Sequence, residues 1–566
     1  MCMINKISVE DRSTKVNSNS KRSNSEVHNN PNFKGVGALA LAGIQACERM
    51  PMVNVAVIDM LSAILPRTIV ESITTWFAGF EAFRRESSGL IVNCLIPSLI
   101  AYSFAKLLNP VYMKNISKTA SKHVDMSGCW ADRDLIGKAS ELYNNSKSAD
   151  KVHESLKNII GGLEGFETDR KIKFSEALGE QTVDDYAKRL AEISRKDISN
   201  KEMCKEVKKI SSAIVEKTKV AENVKVGNVH AQSVNSMLED SVKFFREFQK
   251  TDGKITMEQF AKKSKSLVRS KSLLGLAVVL PLAASMQYIN RWITGKLSGT
   301  KGAPIYDDFG KGNSIEEKTK DKEGLLKQKL VSISSMVGVS LLSMMKMPSM
   351  KMLDFKGMFP TMDQARIIST FTFGSRMAAA DDKNELAEAT VRDIATFSSL
   401  YFLGDYAAKA VATGIQKNTG VVLLNDTKPI DKNANVFKKA WHWVKDVNIK
   451  SSEEVVSKTE KALKGAMPTE AQKKTIEKEL AHARNLRSIC QASNIGVSLA
   501  LLGLIIPIFT RRHTKKKHEQ ALKLAQEQAN HTQNKQENDE TVITPLNVKY
   551  KNLTTGFRAE KQIKTA

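Results

Sequence analysis

Ser488 to Thr510 reads SICQASNIGVSLALLGLIIPIFT, twenty-three residues without a charge, and runs directly into Arg511, Arg512, His513, Lys515, Lys516 and Lys517. A helix of that length extends roughly 34 Å, enough for a hydrocarbon core of about 30 Å, and a basic cluster against one end predicts that end on the cytoplasmic side. Ser272 to Asn290 repeats the pattern: nineteen uncharged residues around Pro281, preceded by Lys262, Lys263, Lys265, Arg269 and Lys271. These basic flanks suit anionic lipid headgroups and place the chain before Ser272 on the cytoplasmic side.

Working outward, the chain divides by texture. Residues 1–33 are polar and Ser- and Asn-rich, the composition of a disordered leader, and no small-residue cleavage site marks the first apolar run as a signal peptide. Residues 34–110 alternate apolar runs with isolated charges. Only Gly89 to Ala105, seventeen uncharged residues, is long enough to cross, so Val36–Cys47 and Val53–Val70 are expected as a re-entrant or interfacial hairpin. Residues 111–271 carry helical spacing, as in Leu190, Ile193, Met203, Val207, Ile210 and Ile214, and predict a soluble bundle or an extended coiled pair with breaks at Gly161, Gly162, Gly165 and Gly179. Residues 272–420 form a membrane region with a loop at 291–329. Within it Leu330–Met345 is a further span, Ile367–Ser375 is too short, and Ile394–Gln416 carries Asp405 and Lys409. Residues 421–487 read as a polar helical segment, with Trp441 and Trp443 near a membrane boundary where indoles are favoured. The span at 488–510 and a basic tail, 511–566, complete the chain. The fold class is mainly α: a helical integral membrane protein of four to six spans or hairpin segments, with a large soluble insertion and disordered termini.

Composition agrees. Across 566 residues the apolar share is 42% and the mean hydropathy −0.29, so membrane segments are a minority. Lys and Arg outnumber acids 86 to 61, a formal +25. With no recognition module of interleaved basic and aromatic residues, that excess fits cytoplasmic loops and lipid, and no nucleic-acid partner is expected. Cys2, Cys47, Cys94, Cys129, Cys204 and Cys490 are scattered, with no CxxC pair, and predict neither disulfide framework nor zinc site. Asp252, Gly253 and Lys254 echo half of a calcium loop but lack its first ligands, and Gly295, Gly299 and Gly302 lack phosphate-loop spacing. No metal, cofactor or enzymatic activity is expected.

The unusual feature is charge inside apolar segments: Asp59, Arg67, Glu71, Glu81, Arg84, Arg85 and Glu86, then Asp405 and Lys409. Arg67 with Glu71, and Glu81 with Arg85, share a helix face at four-residue spacing and can neutralise one another. A lone charge at mid-bilayer costs about 2.5 to 3.5 kcal/mol on the insertion scale, so these residues either line an ion path or lie on interfacial helices and snorkel to the headgroups. Glu81, Ala82, Arg85 and Glu86 align with Glu388, Ala389, Arg392 and Asp393, each set preceding an apolar segment, which is either an internal duplication or a coincidence. Ala492, Gly496 and Ala500 form a small-residue stripe suited to helix–helix packing, within the chain or between copies.

Asn32, Phe33, Lys34 and Gly35, then Pro66, Arg67 and Thr68, then Glu81, Arg84, Arg85, Glu86 and Gly89, and Gly302, Ala303, Pro304, Ile305 and Tyr306, together carry a resemblance. The combination resembles uncharacterised multi-pass membrane proteins of gut-dwelling, non-photosynthetic relatives of cyanobacteria. The resemblance implies a bacterial cytoplasmic membrane and no particular activity. Two functions are therefore expected in competition: a non-catalytic membrane scaffold or interaction protein, and a transporter, channel or late-inserting translocator that uses the intramembrane charges.

Overall fold

The computed structural model describes residues 51–298, 322–344, 350–426 and most of 430–509 with short gaps, together with Gly43, Ile44, Cys47, Arg512 and Lys516. The leader, most of the 291–329 loop, the tail and the resemblance residues at 32–35 and 302–306 lie outside them. In chain order, helix α1 (Pro51–Ile73) and helix α2 (Trp76–Met113) form an antiparallel hairpin. A first insert follows: α3 (Arg133–Asn145), α4 (Lys151–Gly161), strands β1 (Leu163–Glu167) and β2 (Arg170–Lys173), α5 (Glu180–Arg195), α6 (Asn200–Thr218), β3 (Glu222–Val226), β4 (Val229–Ser233) and α7 (Val234–Gln249). The chain returns through α8 (Met257–Ser298), then α9 (Lys322–Met344), α10 (Met362–Ala379) and α11 (residues 383–419). A second insert holds β5 (Leu424–Asp426), α12 (Val436–Lys445) and β6 (Val447–Ile449), and α13 (Glu470–Phe509) is the last helix.

Five of these helices, α1, α2, α8, α9 and α13, are long and apolar enough to cross a membrane. The expectation that Val53–Val70 is too short to cross is corrected, because that run belongs to one continuous helix of 23 residues; most of Val36–Cys47, the other half of the expected hairpin, lies outside the described residues. A π-helical turn, Asp59–Ile64, carries the helix past Pro66, and Arg67 is paired across to Glu86. The same device recurs at Ile91–Leu95 before Pro97 and at Leu499–Ile505 before Pro507. Proline lacks an N–H and crowds the carbonyl four residues back, and a locally widened turn relieves both defects without ending the helix.

The bundle is built twice from one arrangement. In each copy a first helix (α1, α10) turns into a second helix carrying a π turn (α2 at Ile91–Leu95, α11 at Ser399–Leu403), an insert follows, and a third helix (α8, α13) packs back on the second. The third helix of each copy also packs on the first helix of the other: α8 on α10, and α13 on α1. Close approaches seal these pairs. A Cβ on Gly275 of α8 would lie 3.1 Å from Ala101 of α2, and one on Gly404 of α11 would lie 2.0 Å from Asn494 Oδ1 of α13. On α13 the inward stripe is polar: Gln491 Nε2 donates to Asn54 Oδ1 at 2.7 Å and Ser399 Oγ donates to Ser498 Oγ at 3.1 Å. The small stripe is not the internal contact, since Ala492 and Gly496 are exposed and nothing lies within 4 Å of a Cβ built on Gly496.

The first insert is corrected from all-helical to α+β. Its sheet runs β2-β1-β3-β4, entirely antiparallel, and covers helices whose core includes Leu156, Leu190, Val207, Phe245 and Phe260. Val226-Gly227-Asn228-Val229 makes the tight hairpin, Gly227 at φ 58° supplying the left-handed turn position. The boundary expected at residue 271 does not exist: Met257, Phe260, Leu267 and Val268 belong to the insert core, and α8 continues unbroken into the bundle. The segment 421–487 expected as helical is helical over Val436–Lys445, Lys458–Ala462 and from Glu470 onward, but also carries a β5–β6 hairpin, and it touches the first insert through β1 and through Lys219–Glu460 at 3.2 Å.

Both inserts therefore stand at the same end of the bundle. Residues 124–133 rivet the first one down. Lys271 is fully buried and donates to the Cys129 carbonyl at 2.6 Å while lying 4.1 Å from the Trp130 ring centre; Lys243 donates to the Gly128 carbonyl at 2.7 Å. Arg133 meets Asp354 at 2.8 Å, and Lys356 meets Asp132 at 2.6 Å. Arg487 plays the matching part in the second insert, donating to the Lys450 carbonyl at 2.8 Å. So part of the basic flank read as a lipid anchor is an internal fastening.

Under this loop, burial holds the Cys129 thiol up at about 12. Burial, with Glu239 beside it, pushes the Asp240 carboxyl up to about 7. A folded value above the ordinary 3.8 means that the folded chain keeps a proton which the unfolded chain has released, so stability is lost as pH rises through about 7 and levels off above it. Denaturant-dependent amide exchange of the first insert should show that decline between about pH 4 and 7, with a plateau above. Asp240→Asn should flatten it, and an unchanged slope in that variant would refute the assignment.

Candidate functional site: a charge-lined cavity between the repeats

The charged residues from Arg67 to Glu86 are buried or half-buried. Arg67 crosses the hairpin to Glu86 at 2.8 Å, and Glu86 also receives Arg376 of α10 at 2.7 Å. Arg376 continues to Asp393 of α11 at 3.1 Å, and Arg392 meets the same Asp393 oxygen at 3.2 Å. One carboxylate thus joins the first helix of both repeats, and Asp393, fully buried, is its counterpart in the second copy. The recurrence extends to the pairing: Arg67 with Glu86 and Arg376 with Asp393 each link a first helix to the second helix of its own repeat.

A second shelf binds α2 to α8. Arg84 donates to Asn290 Oδ1 at 2.9 Å and to Thr294 Oγ1 at 2.9 Å. Thr294 Oγ1 donates to Glu81 Oε1 at 2.7 Å, and Asn290 Nδ2 to Ser88 Oγ at 2.8 Å. Glu81 with Arg85, expected as a helical pair, is one at 3.6 Å. Arg291 of α8 adds ion pairs to Asp381 and Glu385.

Between these shelves lies a cavity of about 50 Å³, lined by Arg67, Arg85, Arg376 and Arg392 and by Glu71, Glu81, Glu86, Glu385 and Glu388, with Gln287, Ala78, Ala82 and Ala389. It has room for a few waters, since one needs roughly 10–15 Å³ of such space. Four guanidiniums face five carboxylates, and Glu81 Oε2, on a buried side chain, has no hydrogen-bond partner among the described residues. Seven of the eight residues whose alignment suggested a duplication line this one space, and the eighth, Asp393, anchors Arg376 and Arg392 at its edge.

No family model, curated protein or solved structure matches the chain.

Not every expected residue belongs here. Asp59 is half-buried in its π turn and lines no part of the cavity. Asp405 is exposed on α11 and accepts from Asn494 Nδ2 at 3.1 Å, whereas Lys409 is buried and donates to the Val444 carbonyl at 3.0 Å. Asp405 and Lys409, four residues apart on α11, thus make their hydrogen bonds to separate partners at the insert end of the bundle. Arg376, Glu385, Gln287, Asn290, Arg291 and Thr294 were missed, because each stands just beyond, or near the end of, an apolar run where a polar residue reads as a flank. Among the described residues no cluster of His, Cys, Asp and Glu could hold a metal ion.

Removing Glu86 leaves Arg67 and Arg376 short of a shared partner inside the bundle, and breaking a buried pair on one side costs about 3–5 kcal/mol. Glu86→Gln should accordingly lower the melting temperature of the detergent-purified chain. Combining it with Arg376→Met should cost less than the two single losses added together, and simple additivity would show that the network is not coupled.

Proposed function

We propose that the protein is an integral membrane scaffold of a bacterial cytoplasmic membrane, in which the two repeats and α9 cross the bilayer and hold both inserts on one face as an interaction platform. The supporting observation is a contrast in surface. The bundle helices expose Ile73, Trp76, Leu107, Val111, Val331 and Leu342, whereas between residues 114 and 256 no large hydrophobic residue is exposed among the described residues. Contiguous apolar surface of that kind needs a non-aqueous partner, and an insert without it is complete in water. On this reading α10 and α11, too polar to register as spans, cross in the shelter of α8, α9 and α13.

Seven crossings starting at the insert face end at the opposite one. The basic start of α8 and the end of α13 that leads to the Arg511 cluster then lie on opposite sides, and the two orientation signals disagree. The inserts' own lysines and the basic first half of α13, with Lys473, Lys474, Lys478, Arg484 and Arg487, favour the insert face as cytoplasmic. Reporter fusions after Asn109 and after Ile415 should report the same compartment, and a fusion at the final residue the other one. Opposite compartments for the first two would sink the arrangement, and release of the native protein by alkaline carbonate would sink the membrane reading itself.

One observation favours a second reading, passage of a small cation: the unpartnered Glu81 Oε2 in a cavity with an excess carboxylate. Liposomes containing the purified chain decide between the two. Absence of cation flux supports the scaffold, whereas flux abolished by Glu81→Gln replaces it.

A further inference from the structure

Helix α12, VFKKAWHWVK, has no buried residue although it lies within the second insert. Asn435 caps it by accepting from the Lys438 N–H at 2.8 Å. Its inner face is held in three places. His442 Nε2 lies 3.0 Å from Asp426 Oδ1, Trp443 Nε1 donates to Thr413 Oγ1 of α11 at 3.3 Å, and the Val444 carbonyl receives Lys409. Trp443 also stacks beside Tyr406 at 6.3 Å. The outer face is apolar and uncovered: Val436 is 79% exposed, Phe437 86% and Trp441 59%. Lys438, Lys439 and Lys445 are exposed around it, without an ion pair among the described residues.

Position decides what could cover this face. Thr413, which holds Trp443, lies near the insert end of α11, and in the repeat that end corresponds to the end of α2, where Leu107 and Val111 are each 70% exposed and belong to the apolar belt. The face of α12 therefore lies at the rim of the belt on the insert side, with Tyr406, Trp441 and Trp443 grouped where aromatic rings favour a membrane–water boundary. A short helix with bulky apolar residues on one side and lysines on the other matches a helix lying in the plane of the headgroups. The basic flank at Lys262–Lys271 offers less, because Lys263 is bonded to the Tyr112 carbonyl and Lys271 is buried.

We infer that α12 is a binding site for anionic lipid headgroups: Phe437 and Trp441 enter the acyl boundary, and Lys438, Lys439 and Lys445 bind phosphate-bearing heads. Through Val444 and Lys409 that site is tied to the middle of α11, so lipid charge bears on the packing of the second repeat. The inference rests on the membrane reading, which carbonate extraction tests separately.

The test is hydrogen exchange of residues 436–445 in the full chain, embedded in nanodiscs of phosphatidylcholine alone or with phosphatidylglycerol. Each lysine near an anionic surface contributes a factor of about five, so α12 should exchange at least roughly tenfold more slowly in the anionic discs, an advantage that salt reduces. Lys438→Glu with Lys439→Glu and Lys445→Glu should abolish the difference between disc types. The wild-type comparison stands without any variant. Equal exchange in both disc types overturns the inference, as does protection that follows protein concentration instead of lipid charge, which would assign the face to a second copy of the chain.

Discussion

The bundle depends on one carboxylate. Glu86 stands between Arg67 and Arg376, which come from the first helices of the two repeats, and without it two guanidiniums would face each other across the repeat interface. Taking such groups out of water is expensive, and attraction inside the bundle repays it only when each charge finds a bonded partner. Here the repayment is distributed: Arg376 is shared with Asp393, Asp393 with Arg392, and Glu81 with Arg85 and Thr294. The network is therefore a register device as much as a source of stability. Sliding any helix by one turn would strand a charge, whereas apolar contacts alone would tolerate the slip.

That constraint explains the unusual distribution of polarity. Helices α10 and α11 are the two bundle helices not apolar enough to count as spans by composition, they carry Arg376, Arg392 and Asp393, and they are enclosed by α8, α9 and α13. A helix sheltered from lipid on most sides has no need of a hydrophobic surface, so its composition follows its partners. The outermost helices show the reverse pattern, with apolar residues outward and the Gln491, Asn494 and Ser498 stripe of α13 inward.

Much of this was legible in the chain. The runs at 272–290 and 488–510 mark α8 and α13 because a long uncharged stretch has few alternatives to a helix. The alignment of Glu81, Ala82, Arg85 and Glu86 with Glu388, Ala389, Arg392 and Asp393, which the sequence left between duplication and coincidence, names residues on both sides of the cavity. What escaped had a physical reason in each case. Hydropathy measures contact with lipid, so α10 was reduced to nine apolar residues and Arg376 was discarded with its flank. The strands of the first insert are only four or five residues long, and three of the four carry charges, but Val226-Gly227-Asn228-Val229 is a hairpin signal that helical spacing on either side obscured. Charges in α1 and α2 read equally well as snorkelling or buried, since spacing within one helix says nothing about a third helix that supplies the counter-charge.

The inserts extend the same logic beyond the bundle. Lys271 and Arg487 each stand on the third helix of a repeat and each donate to a backbone carbonyl of the insert that precedes it. A hydrogen bond from a cation to a carbonyl fixes position: it holds a loop to the helix end at a point where apolar packing on the insert side gives way to packing within the bundle. Because the two inserts also touch each other, a shift of one third helix would load both fastenings and the contact between β1 and β5. The two globular parts and the repeat interface are thus a single mechanical unit, in which the ionic clasp at one end and the carbonyl fastenings at the other hold the same set of helices in one register.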